Sequence, residues 1–120
     1  MEVPVRDVLL QCAGVIAILA ALIHGVLSEV RVFRSLSIEP KRLRTLVRLV
    51  FQLLTVDWIC FGVLLLLAPT LASEPARHAI VISATVVLAM SALVNGLGSK
   101  GRHFGWIVLG AAATMAAAGY

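Results

Sequence analysis

Charged residues are scarce in this chain. Asp, Glu, Lys and Arg make up 13% of its 120 residues, whereas they form about a quarter of a typical soluble domain. Hydrophobic residues reach 61%. This composition argues against a water-soluble globular domain and predicts an integral membrane protein.

Familiar catalytic motifs are also missing. The sequence has no HExxH, no GxSxG and no glycine-rich phosphate loop. Its two cysteines, Cys12 and Cys60, lie in apolar runs without a CxxC partner, so we expect buried free thiols. We therefore name no catalytic residue and favour a protein that is not an enzyme.

Aromatic residues are few, at 6%. The aromatic platform that binds single-stranded nucleic acids is absent. The net charge of +4 is explained more simply by membrane topology, and we expect no nucleic-acid partner.

What the chain does contain is four apolar runs, at residues 8–27, 47–67, 79–97 and 104–120. About 20 helical residues cover the roughly 30 Å of a bilayer's hydrocarbon core. Pro40 and Pro75 stand where helices can begin. We predict an all-α integral membrane protein: one four-transmembrane-helix bundle over residues 1–120, with helices at about 8–28, 40–67, 75–97 and 103–118.

The basic residues predict an orientation. Eight of the ten Lys and Arg form two clusters, and only Arg6 and Arg77 lie outside them. The first cluster is Arg31, Arg34, Lys41, Arg42, Arg44 and Arg48, and the second is Lys100 and Arg102. Because basic loops stay in the cytoplasm, we expect an N-out/C-out protein of a bacterial inner (plasma) membrane, with periplasmic or extracellular termini. The first cluster, Arg31 to Arg48, is also placed to contact anionic lipid headgroups of the bilayer.

Polar residues inside the runs form the candidate site. Helical periodicity and the alternating helix directions bring one group to a single cytoplasmic depth: His24, Glu29, Arg48, Gln52, Asn95 and His103. We expect a Glu29–Arg48 ion pair, and a His24 side chain able to relay a proton or bind a metal. The competing interpretation is that these groups satisfy one another and only fix helix packing.

Small residues predict where helices pack. Ala13, Ala17, Ala21 and Gly25 recur every four residues on the first helix, a pattern that lets another backbone approach closely. The fourth helix carries Gly110, Thr114 and Ala118 in the same way.

Asp57 is a separate ligand or ion-binding candidate, near the middle of the second helix and opposite its other polar residues. One interpretation is that Asp57 contacts Ser83, Thr85 or Thr114. The other, which we favour, is that it faces a second protomer or a partner subunit, which implies a homo-oligomer or a complex with a membrane partner subunit.

Three functions follow, in order of preference. The first is a small transporter that binds or translocates a cation, a proton or a small polar solute through the cytoplasm-facing polar cluster. The second is a non-catalytic accessory or assembly subunit of a larger membrane complex. The third is a metal- or haem-binding protein that uses His24 and His103, while the cofactor itself is not defined by the sequence.

Overall fold

The computed structural model describes residues 3–120, and every regular element in that range is helical. The main helices are α1 (Val5–Leu27), α2 (Lys41–Leu67), α3 (Glu74–Gly98) and α4 (Gly105–Ala118). The first three are long and apolar enough to cross a membrane, whereas α4 has only 14 residues. The prediction of an all-helical protein with membrane-compatible helices is confirmed.

Helix α1 extends further than its apolar run predicted. It continues through a π-helical turn, Ser28–Val32, and a last short turn, Phe33–Ser35. No glycine or proline interrupts residues 26–39, so nothing in the backbone ends the helix at residue 28. The π turn places the buried Phe33 edge-on to Phe51 of α2, with ring centroids 5.3 Å apart.

The ends of α3 follow local sequence signals. Ser73 accepts a hydrogen bond from the backbone N–H of Ala76 at 3.4 Å, which caps the first turn beside Pro75. At the other end Lys100 and Gly101 have φ of 52° and 72°, and the N–H of Gly101 donates to the Gly96 carbonyl at 2.8 Å. This left-handed closure reverses the chain toward α4.

The helices form a bundle in which α1 packs against α2 and α4, and α4 packs against α3. Helices α2 and α3 touch each other far less. The predicted alanine ridge is at the centre, because Ala13, Ala17 and Ala21 are completely buried. Unequal packing around the bundle therefore leaves space between α2 and α3.

Glycine permits the closest helix contact. A Cβ added to Gly14 of α1 would lie 2.6 Å from the carbonyl oxygen of Gly62 on α2. A Cβ on Gly62 would lie 2.8 Å from the Gly14 oxygen. Because both obstacles are backbone atoms, the two helices keep this separation only with glycine at these positions.

We call the end of the bundle with residues 28–48 and 99–104 the basic end, and the end with both chain termini the terminal end. At the terminal end, Arg77 donates to the Asp7 carboxylate at 2.7 Å, and both side chains are largely buried. Gly119 is buried, and a Cβ there would lie 2.7 Å from the Leu10 side chain. This end of the bundle is therefore tightly packed.

The expectation of two buried cysteines is wrong. Cys12 and Cys60 are free and exposed on the outer faces of α1 and α2. In a membrane protein the outward face is also apolar, so hydropathy alone does not separate buried thiols from exposed ones.

Candidate ligand cavity

A cavity of about 700 Å³ lies between α2 and α3 in the half of the bundle nearer the basic end. All four helices contribute to its wall. Its volume falls within the roughly 300–1,000 Å³ typical of small-molecule sites. The few contacts between α2 and α3 therefore reflect a cavity of defined size between these helices.

Its lining is mainly apolar and carries no acidic residue, lysine or arginine. The polar lining consists of His24, Ser28, Ser91, Asn95, Ser99 and His103. A largely apolar wall with a few hydrogen-bonding groups is the usual composition of a site for a small organic molecule.

The cavity opens sideways. Leu54 on α2 and Met90 and Val94 on α3 border it and are 37%, 54% and 64% exposed. Apolar side chains at the rim would meet lipid chains in a bilayer, so a membrane-dissolved molecule has a direct path into the cavity.

His24 forms one wall, held by α2. Its ring stacks on Phe51, with centroids 5.5 Å apart, and lies 4.7 Å from the Trp58 ring. Its Nδ1 is 3.0 Å from the Thr55 hydroxyl, which also donates to the Phe51 carbonyl at 3.3 Å. A hydroxyl has one hydrogen, so both bonds form together only when Nδ1 carries a proton and donates to Thr55. In a neutral ring Nε2 is then an acceptor.

Trp58 connects the two sides of the gap. Its indole N–H donates to the Ser91 hydroxyl at 3.0 Å, and the ring itself is buried. This bond joins α2 to α3 at the bottom of the cavity. The Ser91 proton is left to donate elsewhere.

The wall opposite α2 is formed by Asn95 and His103. The backbone N–H of Gly105 donates to His103 Nδ1 at 3.1 Å, which leaves the proton of a neutral ring on Nε2. A Cβ on Gly105 would lie 2.8 Å from His103 Nδ1 and 3.4 Å from the Asn95 amide nitrogen. Glycine at position 105 therefore keeps both polar side chains close to the start of α4.

A second polar group closes the α1–α2 contact at the basic end. Arg48 pairs with Glu29, with 2.6 Å between Nη2 and Oε2, which confirms the predicted ion pair. The Gln52 amide donates to Glu29 at 2.8 Å and to the Ser28 hydroxyl at 3.2 Å. Beside it, a cleft of about 340 Å³ is lined by Glu29, Val30, Phe33, Arg34, Arg44 and Arg48.

The six residues expected in one layer are thus divided into two groups. Glu29, Arg48 and Gln52 bond to one another between α1 and α2, as the packing interpretation expects. His24, Asn95 and His103 line the cavity instead. The depths also differ slightly from those expected, because Thr55 is level with His24 while Gln52 is level with Ser28.

Asp57 belongs to neither group. It is exposed on the outer face of α2, and no hydrogen bond or ion pair within residues 3–120 involves it. Within residues 3–120 no hydrogen bond joins Asp57 to Ser83, Thr85 or Thr114, and the Thr114 hydroxyl donates to the Gly110 carbonyl instead.

Metal-ligand chemistry is sparse in this region. Across residues 3–120, no three His, Cys, Asp or Glu side chains come together as a metal site would require. His24 and His103 share the cavity wall, whereas His78 lies at the terminal end near Glu74 and Tyr120.

Sequence reasoning missed the aromatic wall. Phe51 and Trp58 are seven residues apart on α2 and flank His24, yet the polar stripe drew attention to their neighbours. A spacing of seven places both rings on the same helical face as Thr55, so the pattern was present in the sequence. Their apolar character made them look like ordinary membrane-facing residues.

Comparisons with protein-family models, with curated proteins and with solved structures returned no match.

Proposed function

We propose that this protein binds a small, uncharged amphipathic solute in the cavity between α2 and α3. The observation that carries the proposal is the lining itself, which combines an apolar wall with neutral hydrogen-bonding groups. His24 Nε2 offers an acceptor, and the Asn95 amide and His103 Nε2–H offer donors. A molecule with an apolar body and one polar head matches this arrangement.

Among the ligands expected from the sequence, this geometry favours a small polar solute over a cation. Cations are usually bound by carboxylate or carbonyl oxygens, and no Asp or Glu lines the cavity. A proton relay would need a continuous chain of titratable groups, whereas the bundle beyond His24 is packed with Ala13, Ala17 and other apolar residues.

Transport would require the bound solute also to cross the membrane. The cavity approaches only the basic end, and the Asp7–Arg77 pair and the packed Leu10 and Leu65 close the terminal end. Translocation therefore requires this packing to open. Solute flux into proteoliposomes, with His24→Ala as the impaired variant, distinguishes a carrier from a binding protein.

The topology that we propose has four membrane spans with both termini outside a bacterial inner membrane. Its support is the charge distribution, since eight of the ten Lys and Arg lie at the basic end. There the arginine-lined cleft beside Glu29 would meet anionic lipid headgroups. Reporter fusions at residue 120 and in the loop at residues 36–40 should report opposite sides of the membrane.

The binding test uses Trp58 as its own reporter. Trp106→Phe leaves Trp58 as the single tryptophan, and bromine quenches indole fluorescence on contact. Vesicles containing this variant are titrated with 8-bromo-1-octanol or with 1-bromooctane, which lacks the hydroxyl. We expect the alcohol to quench Trp58 saturably, with half-maximal quenching at a membrane concentration about tenfold lower than for 1-bromooctane. This ratio corresponds to a difference of about 1.4 kcal/mol in binding free energy.

Two neighbouring substitutions on α4 provide the control. Val108 lines the cavity, whereas Ile107 is 55% exposed outside it. Val108→Phe should fill the cavity and abolish the saturable component, and Ile107→Phe should preserve it. Equal quenching curves in these two variants would show that the cavity binds nothing.

A further inference from the structure

Asp57 lies in the middle of the apolar part of α2 and has no hydrogen-bond or ion-pair partner within residues 3–120. Residues one to three turns away on the same face are apolar or weakly polar, and all are exposed: Leu46, Val50, Leu53, Cys60 and Leu64. The nearest charged residue along α2 is Arg48, nine residues away, which corresponds to about 14 Å. The Asp57 carboxyl group is therefore surrounded by apolar and weakly polar side chains on this face of α2.

Such a position is unfavourable in a lipid bilayer. An ionised carboxylate loses its hydration there, and a protonated one still has hydrogen-bonding groups without partners. Ionisable residues in membrane spans usually face protein and pair with a complementary group. No group within residues 3–120 fulfils that role, so a complementary group would have to come from outside this part of the chain.

A second copy of this chain complements Asp57 poorly. In a parallel two-fold dimer through this face, Asp57 would oppose Asp57 at the same depth, placing like charges together. Every Lys and Arg of the chain lies in a loop or within about two turns of the end of a main helix. His24, which is near this depth, lines the cavity and bonds to Thr55.

We infer that the Asp57 face docks a transmembrane helix of a different protein, one that presents a lysine or arginine at mid-bilayer depth. Charge complementarity selects this partner, because a basic side chain is the group that this face lacks and that a second copy does not provide. The inference does not depend on the proposed ligand cavity, which lies on another side of α2.

The two native cysteines allow a direct test. Cys60 is one turn from Asp57 on α2, and Cys12 is a second exposed thiol, on α1. The probe is a 20-residue Leu/Ala helix with a central Lys and a cysteine one turn to either side, reconstituted with the full chain in phosphatidylcholine vesicles and oxidised with copper–phenanthroline and air. We expect a disulfide adduct at Cys60 at least five times more abundant than at Cys12.

Matched variants identify what drives the contact. A probe with Leu in place of Lys should lose the preference for Cys60, and so should the Asp57→Leu chain with the original probe. Asp57 is exposed, so we expect this variant to keep the fold. Its helix content, measured by circular dichroism, is the control. Equal adducts at Cys12 and Cys60, or an adduct unaffected by Asp57→Leu, would overturn the inference. A Cys60–Cys60 adduct between copies that depends on Asp57 would also overturn it, by showing that a second copy occupies the face.

Discussion

The α1–α2 contact and the α2–α3 gap show two ways in which one helix can use its faces. Toward α1, helix α2 presents Gly62, Thr55, Gln52 and Arg48, and each of these meets a complementary atom of α1. Toward α3, its only side-chain hydrogen bond in the described chain is from Trp58 to Ser91.

The difference lies in residue size and in hydrogen-bond satisfaction. Small residues bring the α1 and α2 backbones together, and every polar side chain there is paired. Larger residues such as Phe51 and Met90 border the gap, while His24 and Asn95 keep groups without a protein partner. Polar residues at similar depths therefore stabilise packing on one face and supply binding groups on another.

The tight contact should be the most sensitive to added volume. Gly14→Ala places a Cβ 2.6 Å from the Gly62 carbonyl oxygen, and we expect a loss of about 2 kcal/mol in the free energy of unfolding. Gly110→Ala is the matched control, because its Cβ meets nothing within 4 Å. Unfolding in mixed micelles with increasing SDS measures both, and equal stability of the two variants would refute the close approach.

Substitutions in the gap between α2 and α3 should change ligand affinity rather than the free energy of unfolding. The Asn95 side chain makes no hydrogen bond within residues 3–120, so Asn95→Leu should leave the unfolding free energy nearly unchanged. Its affinity for 8-bromo-1-octanol should fall about tenfold, or about 1.4 kcal/mol. Trp58 quenching provides the measurement, and unaltered affinity would remove Asn95 from the site.

Gln52→Leu, in contrast to Asn95→Leu, should lower stability without changing ligand affinity. Its amide links Glu29 and Ser28, and interhelical hydrogen bonds in membrane proteins contribute about 0.6 kcal/mol on average. We expect a stability loss of that order with no change in quenching by the bromoalcohol. If Gln52→Leu weakened binding as strongly as Asn95→Leu, the division between the two polar groups would fail.

The smallest effect should come from reversing the Glu29–Arg48 pair. Arg48 is well exposed, and exposed ion pairs contribute little and weaken with salt. Glu29→Arg or Arg48→Glu alone should lower stability slightly at low ionic strength, and the double exchange should restore it. Thermal unfolding at low and high salt provides the measurement; single variants that behave like the native chain would indicate that the pair is energetically neutral.

Much of the fold could be predicted because membrane-spanning helices have a strong length and hydropathy signal. The helix starts beside Pro40 and Pro75 and the buried alanines of α1 followed from local rules. The extension of α1 to Ser35 did not, because basic residues end an apolar run without ending a helix.

The cavity could be predicted only in part. Periodicity identified His24, Asn95 and His103 as polar groups near one depth, and it placed Asp57 on the opposite face. It could not show which helix pairs would separate, since that depends on the volumes of Phe51, Trp58 and Met90 across the gap. For the same reason, the ion-paired Glu29 and the cavity-lining His24 looked equivalent.

Access of a small solute to the gap is the most direct test of this account. In a Cys12→Ala/Cys60→Ala background, Ser91→Cys lies in the cavity and Ser83→Cys on the exposed outer face of α3. N-ethylmaleimide is itself small, polar and uncharged, and it reacts with the thiolate, which the hydrogen-bonding groups of the cavity stabilise better than the lipid around position 83 would. We predict that Ser91→Cys in vesicles is alkylated about ten times faster than Ser83→Cys, with 8-bromo-1-octanol protecting it. Equal rates at both positions, or no protection, would contradict the account.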